Sequence, residues 1–212
     1  MYLPTHFSET RPEVLRQLMD RYPLAALVTA GAGGIEANHI PLLFDPEPGP
    51  DGVLLGHMAR GNGHWKNWGG NEPALAIFQG PQAYISPNWY PTKHEHGRAV
   101  PTWNYAVVHA HGTVHLHDHP EWLRGFLDRL TATHEASEEL PWKPSDAPAT
   151  YIDGLLKAIV GVELRITKLE GKWKVSQNQP AANRTGVADS LERIGNSGMA
   201  NAVLQALNHR PG

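Results

Sequence analysis

The chain has 212 residues, 18 Lys plus Arg against 21 Asp plus Glu, and a net charge of -3, which argues against bulk electrostatic attraction to DNA. It contains no cysteine, so disulfides, thiolate metal sites and a cysteine nucleophile are excluded. No apolar run approaches the ~20 residues of a membrane span, and Met1 to Thr10 lacks a charged-then-apolar leader, so a cytoplasmic protein of one domain, 1–212, is expected.

Gly (21) and Pro (18) are abundant, which points to turns and short strands. Thr10 to Tyr22 predicts a helix: Thr10 and Glu13 make a capping-box pattern, Pro12 suits the first turn, and Val14, Leu15, Leu18, Met19 and Tyr22 share a side. Leu24 to Ala30 and Ile35 to Phe44 read as strands joined by a turn at Gly31 to Gly34. After a proline loop, Asp45 to Gly52, come strands at Val53 to Met58 and Ala74 to Phe78, with a Gly-, Asn- and Trp-rich loop or broken helix at Arg60 to Asn71. Gly80-Pro81 and Pro87 read as turns.

Thr102 to His117 alternates strictly. Even positions are mostly small and apolar, and odd positions carry Trp103, Tyr105, His109, His111, His115 and His117, so one long strand with a small inner face is expected. Asp118, Pro120 and Glu121 open a helix to about His134, and Tyr151 to Ala158 reads as another. Ile159 to Leu169 and Lys172 to Ser176 read as a hairpin around Glu170-Gly171. About 183–208 forms a helical C-terminal extension, broken near Gly195 to Gly198. Many short strands with few helices predict a mainly β, antiparallel barrel with peripheral helices, whose closure removes exposed edges.

Three segments carry chemistry. His57-Met58-Ala59-Arg60-Gly61-Asn62, with Trp65 nearby, has the makings of a phosphate cradle: glycine admits backbone N–H groups to an anion, Arg60 can grip oxygens bidentately, and Trp65 can cover a ring. The plain alternative is a polar loop with a solvated Arg. Gln79 and Ser86 can hydrogen-bond the edge of a heterocycle, against a plain reading as turn chemistry. Lys174, Gln177 and Asn178 follow in one short reach, against a polar strand end stopped by Pro180. Trp103 and Tyr105 share a face and either wall a ligand or pack across a dimer. Histidines two apart on a strand lie ~6–7 Å apart, so four cannot share one ion, and no His-Glu-x-x-His motif supports zinc; no metal is expected. A Gly-x-Ser-x-Gly elbow and a Gly-x-Gly-x-x-Gly fingerprint are both absent, so no catalytic residue is named.

In order along the chain, Met1-Tyr2-Leu3-Pro4-Thr5-His6-Phe7, Glu36-Ala37-Asn38-His39-Ile40-Pro41, Gly56 to Asn62, Ile77 to Pro81, Tyr84-Ile85-Ser86-Pro87, Val100-Pro101-Thr102-Trp103-Asn104-Tyr105, Ile159-Val160-Gly161 and Val175-Ser176-Gln177-Asn178 together resemble the PaiB-type family of FMN-binding split-barrel proteins, also called FMN-binding negative transcriptional regulators. The resemblance implies a six-stranded split barrel and a homodimer with FMN in the groove between subunits. It places the phosphate at His57, Met58, Ala59, Arg60 and Asn62 with Trp65 nearby, and Asn38 and His39 beside it. Gln79 would meet the polar edge of the ring, Thr102, Trp103 and Asn104 would close the groove, and Lys174, Gln177 and Asn178 would flank it. Two positions depart from the family pattern: His111 replaces an aromatic residue and Gln179 an Arg, which removes a cation near the groove.

The expected function is an FMN-binding flavoprotein acting as a regulator or a weak flavin oxidoreductase with a small-molecule electron donor. The alternatives are a ligand-sensing regulator without turnover and a haem-binding or haem-degrading split barrel suggested by His109 and His111. DNA as a partner has weak support, since no helix is clearly basic enough for recognition and Arg184, Arg193 and Arg210 are too few to decide.

Overall fold

The computed structural model describes residues 1–31, 34–47, 49, 51–69 and 72–208. Ala32 and Gly33 of the expected turn, Pro48 and Pro50 of the proline loop, Gly70 and Asn71, and Arg210 lie outside the described residues.

A two-residue strand, β1 (Ser8–Glu9), precedes α1 (Pro12–Arg21), whose Leu15, Leu18 and Met19 are buried as their spacing predicts. Strands β2 (Leu24–Gly31), β3 (Gly34–Pro41), β4 (Leu43–Asp45) and β5 (Val53–Ala59) follow. The expected strand Ile35 to Phe44 is broken between β3 and β4 at Leu42, whose side chain is buried and whose N–H donates to the Pro23 carbonyl. Then come β6 (Glu72–Ile85), a short α2 (Lys93–His96), β7 (Thr102–His117), α3 (Pro120–His134), α4 (Ala149–Leu156), β8 (Ile159–Lys174), α5 (Ala181–Arg193) and α6 (Ser197–Asn208).

The strands form one sheet in the order β3-β2-β6-β7-β8-β5-β4, with β1 paired to β8. The pairs β1–β8, β2–β3, β2–β6, β4–β5 and β5–β8 are antiparallel. This is the expected class, an antiparallel sheet with peripheral helices, with two corrections. Among the described residues there are eight strands, not six, and the path ends on β3 and β4 without closing into a ring. The three-residue β4 offers too little backbone to carry the ladder further.

Two glycine signals read as turns are close approaches within strands. Gly80 lies inside β6, where a Cβ would stand 2.8 Å from Leu18 Cδ1 and 3.2 Å from the Ala106 carbonyl oxygen. Gly171 lies inside β8, where a Cβ would stand 2.2 Å from Leu15 Cδ2 and 2.7 Å from the Glu9 carbonyl oxygen. Both glycines admit α1 or β1 against the sheet, so the expected hairpin at Glu170-Gly171 is one continuous strand.

Contacts divide the chain into two compact units. One comprises 1–21, 79–108 and 170–212, and the other 22–78 and 109–169. In the first, α5 and α6 bury Val187, Leu191, Met199 and Val203 against Ile85 and Val175. In the second, Phe126 of α3 covers Val53 and Leu55 of β5, while Leu123 packs with Ile152 and Leu156 of α4. Also in the second unit, Gly112 of β7 meets β8 so closely that a Cβ would stand 2.0 Å from the Arg165 carbonyl oxygen. Gly112→Ala therefore forces backbone apart and lowers the unfolding free energy by ~1–3 kcal/mol in urea titration; a loss below ~0.5 kcal/mol would contradict that packing.

Candidate functional site

In the unit containing β5, the expected cradle residues divide by strand alternation. Met58 points into the core at 3% exposure, and Ala59 is exposed. His57 packs edge-on against Phe126, ring centroids 5.7 Å apart, with Nδ1 buried and without a hydrogen-bond partner. Burial holds its imidazole below the ordinary histidine value.

Arg60 leaves the strand end and ties three segments together. Its Nε donates to the Lys157 carbonyl (2.9 Å), one terminal nitrogen donates to the Ile159 carbonyl (2.8 Å), and both terminal nitrogens reach the Asp118 carboxylate at the head of α3. The ion pair and hydrogen bonds raise the Arg60 pKa and lower that of Asp118. One guanidinium N–H is left for another acceptor. Trp65 Nε1 donates back to the Arg60 carbonyl (3.1 Å), and the Arg60 and Lys66 cations lie 5.8 and 6.0 Å from the Trp65 ring. A Cβ added at Gly61 or Gly63 would meet nothing within 4 Å, so the loop has open space beside it.

The register of β2 and β3 organises the neighbouring polar groups. Thr29 pairs directly with Glu36, and Asn38 follows two residues later on the same face of β3. His64, 8% exposed, sits over these three. Asn62 Nδ2 donates to Asn38 Oδ1 (2.7 Å), and Asn38 Nδ2 donates to His64 Nδ1. That bond makes Nδ1 the acceptor, so the ring hydrogen is assigned to Nε2, 2.7 Å from Thr29 Oγ1 and 3.0 Å from Glu36 Oε2. The His64 backbone N–H closes the chain on Asn62 Oδ1 (3.1 Å). Two expected residues, Asn38 and Asn62, are thus brought together, while His39 is exposed on β3. Sequence reading missed His64, Thr29 and Glu36, because only strand register reveals their meeting.

In the other unit, Thr102, Asn104, Lys174 and Asn178 line one cavity of about 490 Å³ with Tyr90, Arg98, Ser176 and Asn183. Its lining contains two cationic side chains and no carboxylate. Lys174 Nζ donates to Thr102 Oγ1 (2.5 Å) and to the Trp103 carbonyl (2.9 Å), both neutral oxygens. Asn104, 1% exposed, donates through Nδ2 to Ser176 Oγ (2.8 Å), and its Oδ1 has no partner. Ser176 also hydrogen-bonds the Tyr90 phenol, whose pKa is raised by burial despite that contact. Ser176 holds φ at 63°, a left-handed conformation rare for a side chain with a Cβ and frequent at functional sites.

The remaining expected residues point elsewhere. Gln177 spends its amide locally, accepting from Val175 N (2.8 Å) and donating to the Trp173 carbonyl. Gln79 is exposed on β6. Trp103 is 48% exposed, donates to Gln82 Oε1 (2.8 Å) and meets Tyr84 edge-on. Tyr90, Arg98 and Ser176 carried no signal of their own in the sequence.

Residues 1–168 match the family described as "Putative FMN-binding domain". The chain belongs to this PaiB-type, FMN-binding family. The protease synthase and sporulation protein PAI 2 of Bacillus subtilis is 30% identical, over 97% of this chain and 95% of its own length. An uncharacterized protein of Emericella nidulans is 33% identical over 92% of each chain. Among solved structures, the FAD and heme binding protein of Mycobacterium smegmatis superposes with a TM-score of 0.55 at 18% identity, covering 79% of this chain and 73% of that one. The flavocytochrome Anf3 of Azotobacter vinelandii gives 0.55 at 12% identity, covering 79% and 69%. Both share the fold. Family membership supports FMN or a related flavin as cofactor. Among the described residues, no helix is long and apolar enough to cross a membrane.

The buried Nδ1 of His57, which lacks a hydrogen-bond partner, has a consequence for acid stability. The unfolded chain takes up the proton below about pH 6.5 while the folded chain resists it, so stability falls as pH drops through that value. His57→Leu flattens this part of the stability profile in urea titrations from pH 7 to 5; an unaltered slope would show that the ring protonates freely in the fold.

Proposed function

We propose that this PaiB-type chain works as a homodimeric flavoprotein in which FMN, lying in a groove between two copies, is the redox-active group of a flavin oxidoreductase. The observation that carries the reading is the cavity lined by Arg98, Thr102 and Lys174: two cationic side chains with no carboxylate among its described lining residues, the Lys174 ammonium held by two neutral oxygens. A polar, electron-rich ligand suits that charge.

The loop after β5, in the other compact unit, by itself suits an anion such as a phosphate. Arg60 and Lys66 flank Trp65, and Gly61 and Gly63 leave room for an anion next to the backbone. Asn38 and Asn62 are fixed by His64 and present a rigid polar edge. Bound FMN supplies hydride and electron transfer, with the protein contributing position and electrostatics. The exposed aromatic pair Trp103 and Tyr84 suits the dimer contact.

A regulatory role is the second reading, favoured by the sporulation-linked name of the Bacillus subtilis relative. Direct DNA contact has little to use in α5: Arg184 donates to the Ala206 carbonyl and Arg193 to Ser190 Oγ. Anaerobic NADH added to the FMN-loaded protein distinguishes the readings. Bleaching of the flavin band near ~450 nm supports the oxidoreductase. No bleaching, together with a gel shift that weakens steeply with salt, supports the regulator.

Arg60 is expected to serve both fold and ligand. Arg60→Ala weakens FMN binding by ~1.5–3 kcal/mol in a flavin-fluorescence titration. Asp118→Asn, which keeps the guanidinium, weakens it less. An unchanged dissociation constant in Arg60→Ala would leave that residue to its structural ties alone.

A further inference from the structure

We infer that the cavity lined by Arg98, Thr102 and Lys174 is a phosphate-monoester site, which holds the dianionic phosphate of a small ligand, either FMN's own or that of a separate substrate. The inference goes beyond the flavin reading, because it names the charged group the cavity takes and stands whichever molecule carries it.

Lys174 and Arg98 are the charged side chains that line this cavity of about 490 Å³, and its described lining residues include no carboxylate. Two like charges on the wall of one cleft focus a positive potential into it. The Lys174 ammonium is positioned as well as charged. It donates to Thr102 Oγ1 (2.5 Å) and to the Trp103 carbonyl (2.9 Å), which ties the end of β8 to the start of β7. Both acceptors are neutral, so they leave the charge unbalanced and the third ammonium hydrogen to donate.

The neutral groups around that charge are donors in surplus. Thr102 Oγ1 serves Lys174 as an acceptor, so its hydroxyl hydrogen is left to donate. Gln179 Oε1 accepts from Asn183 Nδ2 (3.1 Å), and Asn183 Oδ1 accepts from Thr92 N (3.3 Å) and Thr92 Oγ1 (3.0 Å). Those bonds fix the wall and leave the Gln179 amide hydrogens unspent. Thr102, Lys174 and Gln179 are half-buried, and Arg98 and Asn178 are exposed, so a ligand in the cavity reaches all five. A carboxylate brings one charge and two oxygens, which leaves one of the two cations unbalanced. A phosphate monoester carries close to two charges above pH ~6 and three terminal oxygens, which matches both cations and the surplus donors. The volume is that of a small-molecule site, ~300–1,000 Å³, so the organic part of the ester is admitted with its phosphate.

The test titrates phenyl phosphate and benzoate, which share a ring and differ in the anion, into the full-length chain by calorimetry at about pH 8, where the monoester is a dianion. The unloaded chain binds phenyl phosphate at least about tenfold more tightly than benzoate, and Lys174→Met removes that preference. Asn178→Lys tightens phenyl phosphate binding by about threefold and Asn178→Asp weakens it by as much, the size expected of one exposed charge. Asn178 is exposed, so neither change threatens the fold. The FMN-loaded chain separates the two sources: retained phenyl phosphate binding assigns the cavity to a separate phosphorylated substrate, and lost binding assigns it to the phosphate of FMN. Equal binding of phenyl phosphate and benzoate by the unloaded wild-type chain, or binding of neither, would overturn the inference without needing any variant to fold. FMN uptake is read separately by flavin fluorescence, so a chain that takes up no FMN fails the flavin reading alone.

Discussion

Strand β7 can bury one whole face only because the side chains on it are small. Ala106, Val108, Ala110 and Val114 are each at most 1% exposed, and Gly112 leaves no room for a methyl group against the β8 backbone. This alternation decides what each part of the strand can do. Odd residues from Trp103 to His117 remain at least partly accessible except Val107. Even residues from 104 to 114 are committed to the interior. Asn104 is the single polar side chain from 104 to 114 on the committed face, so its amide must find partners away from water.

The energetic consequence is local and specific. A buried amide with one half satisfied and one half open is a standing cost of ~1–3 kcal/mol. The Asn38–Asn62–His64 chain is the opposite case. Each amide oxygen and each ring nitrogen there has a partner, so the network is closed and rigid. One polar cluster is built to hold its own shape, and the other keeps an unmet acceptor in the interior. Arg60 lies between these extremes: most of its donors serve Asp118 and two carbonyls, and solvent screening keeps so exposed an ion pair weak as a source of stability.

The sequence was most legible where a period was long and strict. Strand β7 and helix α3 have the bounds expected of them, because sixteen and fifteen residues of consistent pattern leave few alternatives. Short elements were not legible: two residues of β1 carry no period, and its pairing with Lys172 and Gly171 is purely tertiary. Gly80-Pro81 and Glu170-Gly171 misled for one reason. A glycine that permits a turn and a glycine that admits a neighbouring side chain look identical in sequence, and here Leu18 and Leu15 of α1 decide the matter. In the candidate site, Thr102, Asn104, Lys174 and Asn178 were named and do line one cavity, whereas Tyr90, Ser176 and His64 entered only through register and backbone conformation. Gln177 follows Lys174 in the same segment but uses its amide to turn the chain.

The central claim, that FMN is held where two copies of this chain meet, is tested most directly by sedimentation velocity recorded at the flavin band near ~450 nm. The account predicts that the flavin absorbance sediments with a two-chain species at one flavin per chain. Flavin absorbance that remains with the unsedimented small molecules, or that travels with a single chain, would contradict it.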